Sequence, residues 1–124
     1  RLERGSAMRA RSEAYVAEGS AIQNSFEATV LDAVDNGLAV LGESVRGAVY
    51  YHVERSFGIR REEIPKRLEA FHEALGRLLG EGARVVERLV VRNLYGRLGL
   101  DFEEHQNWAL VDYVDYAAKA KGGH

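Results

Sequence analysis

Residues 68–99 read LEAFHEALGRLLGEGARVVERLVVRNLYGRLG, and this stretch decides the fold. Apolar residues recur in it at intervals of three and four, the spacing that places them on one face of a helix. The first series is Leu68, Phe71, Leu75 and Leu78, and the second is Val86, Leu89 or Val90, and Leu94. Glycine commonly follows a helix end. The sequence therefore predicts two tightly joined helices, one ending at Gly80 and the other running from about Ala83 to Gly99.

The same spacing continues on both sides of this stretch. It predicts a helix that starts at Ser20 or Asn24 and ends near Gly42, a helix over about 44–57 that stops at Gly58, a short helical turn around Pro65, and a last helix over 108–120 capped by Asn107. Residues 37–41 are apolar all round, so this end of the first helix is expected to be central and covered on more than one side, by other helices or by a second subunit. The predicted fold is all-α, a compact bundle of about five helices plus a peripheral N-terminal helix.

One helical domain is expected over residues 20–120, with a short segment at each end. Residues 1–19 form an N-terminal lead that starts at Arg1, and its Gly5-Ser6-Ala7 stretch precedes Met8. We expect residues 1–7 to be a remnant of an added tag and residues 9–18 to form the peripheral helix. Residues 121–124 are expected to fray.

Composition excludes several classes of protein. The 124 residues include 17 basic and 19 acidic side chains, and this balance of −2 argues against a general nucleic-acid binder, since phosphate affinity accumulates from many Lys and Arg contacts. The absence of Cys excludes thiol chemistry and disulfides and favours the cytoplasm. No apolar run approaches 18 residues, so no membrane partner is expected.

The amino-acid composition suits a thermophile, because the chain has only six Asn plus Gln residues and many Arg and Glu residues. The 14 Arg against three Lys fit a biased genome composition equally well.

The histidines lack the spacing of a catalytic or metal site. His52, His72 and His105 form no HxxxH pair, and His124 is terminal. No GxSxG, GxxxxGK or GxGxxG motif occurs. We therefore predict no catalytic residue, no metal, no cofactor and no enzyme activity. His52 lies beside an apolar stripe and is expected to be partly buried, whereas His72 is expected on the surface.

Three arginines are the most distinctive polar feature of the chain. Arg84, Arg88 and Arg92 recur every four residues, which places their guanidinium groups along one helix face. Three interpretations stay open: a solvated face, a docking stripe for an acidic protein surface, or a track for nucleic-acid backbone. Residues 98–118 contain five acids and no Lys or Arg. Such opposite stretches can pair within a monomer or across a dimer.

Aromatic residues of the last helix form a second candidate contact surface. Leu110 and Val114 are expected to face inward, which leaves Tyr113 and Tyr116 largely on another side. Exposed Tyr and Trp are common anchors at interfaces, so Trp108 is added to this set. We expect a protein partner and a homodimer, formed through the apolar surface of the helix over 21–41 or through the aromatic last helix.

Two features of the sequence offer alternative, DNA-binding interpretations. Gly80-Glu81-Gly82 resembles the hairpin of helix-hairpin-helix modules, but Glu81 would repel phosphate, so a simple helix-terminating turn is favoured. The stronger alternative is a helix-turn-helix regulator over residues 45–79. In that arrangement the phosphate contacts would come from Arg60, Arg61, Lys66 and Arg67.

Several separated blocks of the sequence occur in a fixed order over roughly residues 41–114. They are Gly42-Glu43-Ser44-Val45, Phe57-Gly58-Ile59, Glu63-Ile64-Pro65, Gly80 with Gly82-Ala83, and Leu94-Tyr95 followed by Leu98-Gly99-Leu100. With these blocks the chain resembles an archaeal family, the Nitrosopumilus output domain. This resemblance implies a small helical module of archaeal signalling proteins, with no catalytic residue assigned. The expected function is a non-enzymatic regulatory output module that acts through protein–protein contacts.

Overall fold

A computed structural model describes residues 25–121 of the chain. This range contains α1 (residues 25–39), α2 (Glu43–Phe57), a 3-10 helix (Arg61–Lys66), α3 (Leu68–Leu79), α4 (Gly82–Leu98) and α5 (Leu110–Ala120). It contains no β-strand, so the predicted all-α fold is confirmed. Several of the predictions fall on residues outside the described range. They concern the lead over 1–19 with its tag remnant and peripheral helix, the start of the first helix around Ser20, and the last three residues of the tail.

Glycine ends the helices where the sequence predicted. Gly58 after α2 and Gly99 after α4 adopt left-handed backbone with φ of 69° and 71°. Gly80 after α3 has φ 58° and ψ −130°, a combination that is essentially restricted to glycine. Only Gly80 and Glu81 separate α3 from α4, and the Ala83 N–H donates to the Gly80 carbonyl oxygen at 3.1 Å. The glycine turn therefore closes one helix and opens the next.

The start of α5 differs from the prediction. The helix begins at Leu110, and Asn107 lies in a turn before it rather than at its cap. The Ala109 N–H donates to the Asp112 carboxylate at 2.8 Å, so the acid three residues into the helix satisfies the free backbone donor. Trp108 consequently lies outside the helix, in the connection that precedes it.

Helix α3 occupies the centre of the described bundle. It packs against α2, α4 and α5, and its inner face carries the buried residues Leu68, Phe71, Ala74 and Leu75. At the end of α1, Leu38 is fully buried, whereas Val40 and Leu41 are 68% and 42% exposed. The described helices of one chain therefore cover only part of this end, and the second subunit that was the other expected cover stays a prediction.

Within the described range, no helix combines the length and the apolar character that crossing a bilayer requires.

Candidate functional site

A non-helical loop lies along one face of α4. We call residues 99–109 the α4–α5 loop, and Arg84, Arg88 and Arg92 the α4 arginine row. The guanidinium carbon of Arg92 is 5.1 Å from the ring centroid of Phe102 in the loop. Arg88 forms an ion pair with the Glu104 carboxylate. Two of the three arginines thus contact the loop of their own chain, and the acidic stretch and the arginine row meet within one molecule.

Arg84 differs from the other two arginines. Its side chain is exposed. No carboxylate of residues 25–121 lies within ion-pair distance of it. The α4 arginine row therefore ends in a guanidinium group that the loop does not neutralise.

Tyr113 fixes the position of the loop. Its hydroxyl accepts a hydrogen bond from the His105 N–H at 2.8 Å and donates to the His105 carbonyl oxygen at 3.1 Å. The Tyr95 hydroxyl donates to the Tyr113 carbonyl oxygen at 2.7 Å. Tyr113 is only 8% exposed, so the expectation that it lies on an exposed side of the last helix was wrong. It is a core residue that holds the loop.

Trp108 and Tyr116 remain at the surface around this anchor. The Trp108 ring stacks on His105, with 3.9 Å between the ring centroids. Tyr116 is 52% exposed, and its ring stacks beside that of Tyr95. Burial, together with the nearby Tyr116 and Tyr113, raises the pKa of Tyr95 to about 12. Two of the three predicted aromatic contact residues are therefore accessible: Trp108 within the loop and Tyr116 on α5 beside it.

A small open pocket lies between α4 and the loop. Its volume is about 70 Å³, enough for a few water molecules or one small polar group. The residues that give it charge and polarity are Arg84, Glu87, Arg88, Glu104, His105, Gln106 and Tyr113. Trp108, Val91, Phe102 and Leu110 contribute apolar atoms to its lining. The pocket combines two guanidinium groups, two carboxylates and an aromatic wall.

Glu87 is the only buried charged residue among residues 25–121. Its Oε2 lies 2.5 Å from Nδ1 of His72, and this pair joins α4 to α3. Burial raises the pKa of Glu87, although the hydrogen bond and the charge of His72 act in the opposite direction. The spacing along α4 indicates that Glu87 is buried, because it falls four residues after buried Ala83 and three before buried Val90. The sequence-based predictions did not include this residue.

The histidines do not form a metal site in the described part of the chain. No group of three or more His, Asp or Glu side chains has the required arrangement there. His52 is exposed, with its ring edge-on to Tyr51, so the expectation of partial burial was wrong. His72 is 43% exposed at its side chain, and its ring nitrogen contacts Glu87.

A second polar cluster joins α1, α2 and the 3-10 helix. Nε of Arg61 donates to Oδ1 of Asp35 at 3.1 Å, and Nη2 donates to Oδ2. The Tyr50 hydroxyl also donates to Asp35. Burial acts to raise the pKa of Asp35, but the hydrogen bonds from Arg61 and Tyr50 outweigh it and lower the pKa. The same cluster raises the pKa of Tyr50, through burial and the Asp35 carboxylate.

These contacts involve two of the four residues assigned to phosphate in the helix-turn-helix alternative. Arg61 pairs with Asp35, and Nη1 of Arg67 donates to the Gly58 carbonyl oxygen at 3.0 Å. Arg60 and Lys66 are exposed, and Nε of Arg60 lies 4.0 Å from the Glu62 carboxylate.

The connection between α2 and α3 also differs from a helix-turn-helix. Ten residues, 58–67, separate the two helices and include the 3-10 helix, whereas the motif uses a turn of three or four residues. The exposed side of α3, which would have to read the bases, carries Glu69 and Glu73. Two carboxylates on that side would repel the phosphate backbone.

The α4 arginine row and the α4–α5 loop together form the candidate functional site. The row, the pocket and the two accessible aromatic rings lie together on one side of α4. Compared with protein-family models, with curated proteins and with solved structures, the chain matches none.

Proposed function

We propose that this chain is a non-enzymatic regulatory module of the archaeal output-domain type that acts in the cytoplasm through protein–protein contacts. The contact face consists of the α4 arginine row, the α4–α5 loop and the rings beside it. One observation carries the proposal: the row already holds an acidic and aromatic segment, with Phe102 on Arg92 and Glu104 on Arg88. A face that holds such a segment from its own chain has the chemistry to hold one from another protein.

The accessible residues on this face support a binding role. Arg84 and Tyr116 are exposed, and Trp108 within the loop is half-buried. Arg84 and Trp108 line the same pocket, and the ring centroid of Tyr116 lies 5.9 Å from that of Trp108. Arg, Trp and Tyr are the residue types that contribute most to binding energy at protein interfaces. Two other polar pairs, Asp35 with Arg61 and His72 with Glu87, instead join elements of the fold. This use of polar side chains supports binding rather than catalysis.

Self-association is part of the proposal. Val40 and Leu41 expose apolar surface where α1 ends, and Tyr116 does so on α5. Covering these side chains with a second copy would remove their apolar surface from water and so favour a dimer. Sedimentation equilibrium should show a dimer, and either Val40→Ser with Leu41→Ser or Tyr116→Ser should weaken it at least tenfold. A monomer at all concentrations would contradict this part of the proposal.

A capture experiment with matched variants tests the contact face. Arg84→Glu reverses an exposed charge without breaking a contact of the loop, whereas changes at Arg88 or Arg92 would displace the loop. Arg77→Glu, on the exposed side of α3, makes the same change of charge elsewhere. Partner capture from the host should be lost with Arg84→Glu and retained with Arg77→Glu, with unchanged helical circular dichroism in both.

The outcome that contradicts the proposal is equal capture by both variants. Duplex DNA binding with a steep salt dependence would likewise contradict it and would favour the helix-turn-helix alternative, since each phosphate contact releases counterions. The two assays use the same purified chains, so a failure to fold would appear in both.

A further inference from the structure

The α4 arginine row and the α4–α5 loop share a common spacing. Arg88 and Arg92 are one turn apart, which is about 6 Å along a helix. Their loop partners, Glu104 and Phe102, are two residues apart, and an extended chain advances about 6.6 Å over two residues. Alternate residues of an extended segment can therefore meet successive arginines of the row. The contacts at Arg88 and Arg92 follow this register.

The register of the loop ends before Arg84. Because Phe102 lies at Arg92 and Glu104 at Arg88, the loop runs antiparallel to α4. After Glu104 the chain turns, since the Trp108 N–H donates to the His105 carbonyl oxygen at 3.2 Å, and Gln106 in this turn lines the same pocket as Arg84. Its amide carries no charge. The position at which a third residue would neutralise an arginine is thus held by a neutral and exposed side chain.

The pocket at this position suits a carboxylate. Arg84 and Arg88 contribute two positive charges to its lining, and Glu104 offsets one of them. Glu87 also lines the pocket, but it is buried and its Oε2 is engaged by His72. A volume of about 70 Å³ accommodates a carboxylate group, and a guanidinium binds it through two parallel hydrogen bonds.

We propose that Arg84, with the pocket beside it, binds a carboxylate side chain from an acidic, extended segment of a partner protein. The chain's own loop contacts Arg92 and Arg88, and the partner segment extends this series of contacts along α4 to Arg84. The backbone of the partner segment passes beside Trp108. This inference rests on the proposed function and names the chemistry of the partner. A segment that presents a carboxylate to Arg84 is the one that fits.

Trp108 makes the inference directly measurable. It is the only tryptophan of the chain, and it lines the pocket, so its fluorescence reports occupancy. The probe is an acetylated, amidated hexapeptide of alternating Glu and Ala, and the control peptide has Gln in place of Glu. The Glu peptide should change the fluorescence in a saturable way that added salt weakens. The Gln peptide should not.

Variants assign the binding to Arg84. Arg84→Gln should weaken binding of the Glu peptide at least tenfold, and Arg77→Gln should leave it unchanged. Equal binding of both peptides, or unaltered binding by Arg84→Gln, overturns the inference. So does a sedimentation result in which Arg84→Gln converts a dimer to a monomer, because a second copy would then occupy the pocket. If no peptide binds but Arg84→Glu still abolishes partner capture, the acidic segment is wrong and the proposed function stands.

Discussion

Gly37 in α1 lies against the backbone of Val90 in α4. A methyl group placed on Gly37 would come within 3.0 Å of the Val90 backbone nitrogen and 2.8 Å of its Cγ2. Backbone atoms cannot move aside by rotation about a side-chain bond. The absence of a side chain at this position therefore sets how closely α1 packs on α4.

Gly37→Ala is expected to lower the free energy of unfolding by about 1–3 kcal/mol, because the two helices must separate to admit the methyl group. Urea unfolding followed by circular dichroism measures the change. Gly47→Ala in α2 is the matched control, since nothing lies within 4 Å of the added carbon. That variant should be stabilised by about 0.5–1 kcal/mol through helix propensity alone. Equal effects at the two glycines would refute the close packing of α1 on α4.

Asp35→Asn tests the cluster that joins α1, α2 and the 3-10 helix. At neutral pH it should lower the free energy of unfolding by about 1–3 kcal/mol, because Arg61 and Tyr50 lose a charged acceptor. The folded state lowers the pKa of Asp35 below its ordinary value of 3.8. The stability it contributes is therefore complete above that value and is lost as the pH falls through the lowered pKa.

Urea titrations of the native chain and Asp35→Asn should consequently converge in acid. Glu62→Gln is a suitable control, since its carboxylate is 66% exposed and lies 4.0 Å from Arg60. Loss of that surface pair should change the stability by about 0–1 kcal/mol. A constant difference between the native chain and Asp35→Asn at all pH values would contradict the role of Asp35.

Tyr113→Phe should release the α4–α5 loop. The substitution keeps the ring but leaves the His105 N–H and carbonyl without their hydroxyl partner, at a cost of about 1–3 kcal/mol. Hydrogen exchange at the His105 amide should accelerate, and Trp108 fluorescence should change. Tyr116→Phe removes a hydroxyl from a ring that is 52% exposed, and its effect should stay within about 0.5 kcal/mol. If the His105 amide exchanges its hydrogen at the same rate in Tyr113→Phe and Tyr116→Phe, Tyr113 does not hold the loop.

Local patterns predicted the helices but not the loop. Apolar spacing and the glycines at 58, 80 and 99 were sufficient to place α2, α3 and α4. The ion pair between Arg88 and Glu104 joins residues 16 apart in a segment without periodicity, and no local pattern specifies it. The arginine row was identified from its spacing, whereas its use by the chain's own loop depends on tertiary structure.

Two further differences had visible signals in the sequence. Leu110, Tyr113, Val114 and Ala117 have the spacing of a complete inner face, and all four are buried. Tyr113 therefore belonged to the core on spacing alone, and only Tyr116 lies on the other side of the helix. At the start of α5, an Asn before the helix and an Asp inside it were both suitable caps, and Asp112 is the one that the helix uses.

Glu87→Gln should have the opposite pH dependence from Asp35→Asn. Burial raises the pKa of Glu87 in the folded state above its ordinary value of 4.5, so the folded chain holds this proton more tightly than the unfolded chain does. As the pH rises from the ordinary value through the raised one, ionisation of Glu87 lowers the free energy of unfolding. Gln stays neutral and can still accept a hydrogen bond from His72. The stability of Glu87→Gln relative to the native chain should therefore increase with pH across this window.

Urea unfolding at half-unit steps from about pH 2 to pH 7 measures that difference, in which the titration of groups that do not contact Glu87 cancels. Asp35→Asn, measured alongside, should lose stability relative to the native chain as the pH rises through the lower window near and below 3.8. The two slopes have opposite signs because burial dominates at Glu87 and hydrogen bonds dominate at Asp35. A Glu87→Gln curve that falls relative to the native chain would mean that His72 outweighs burial, and that the charged form of Glu87 stabilises the contact between α3 and α4.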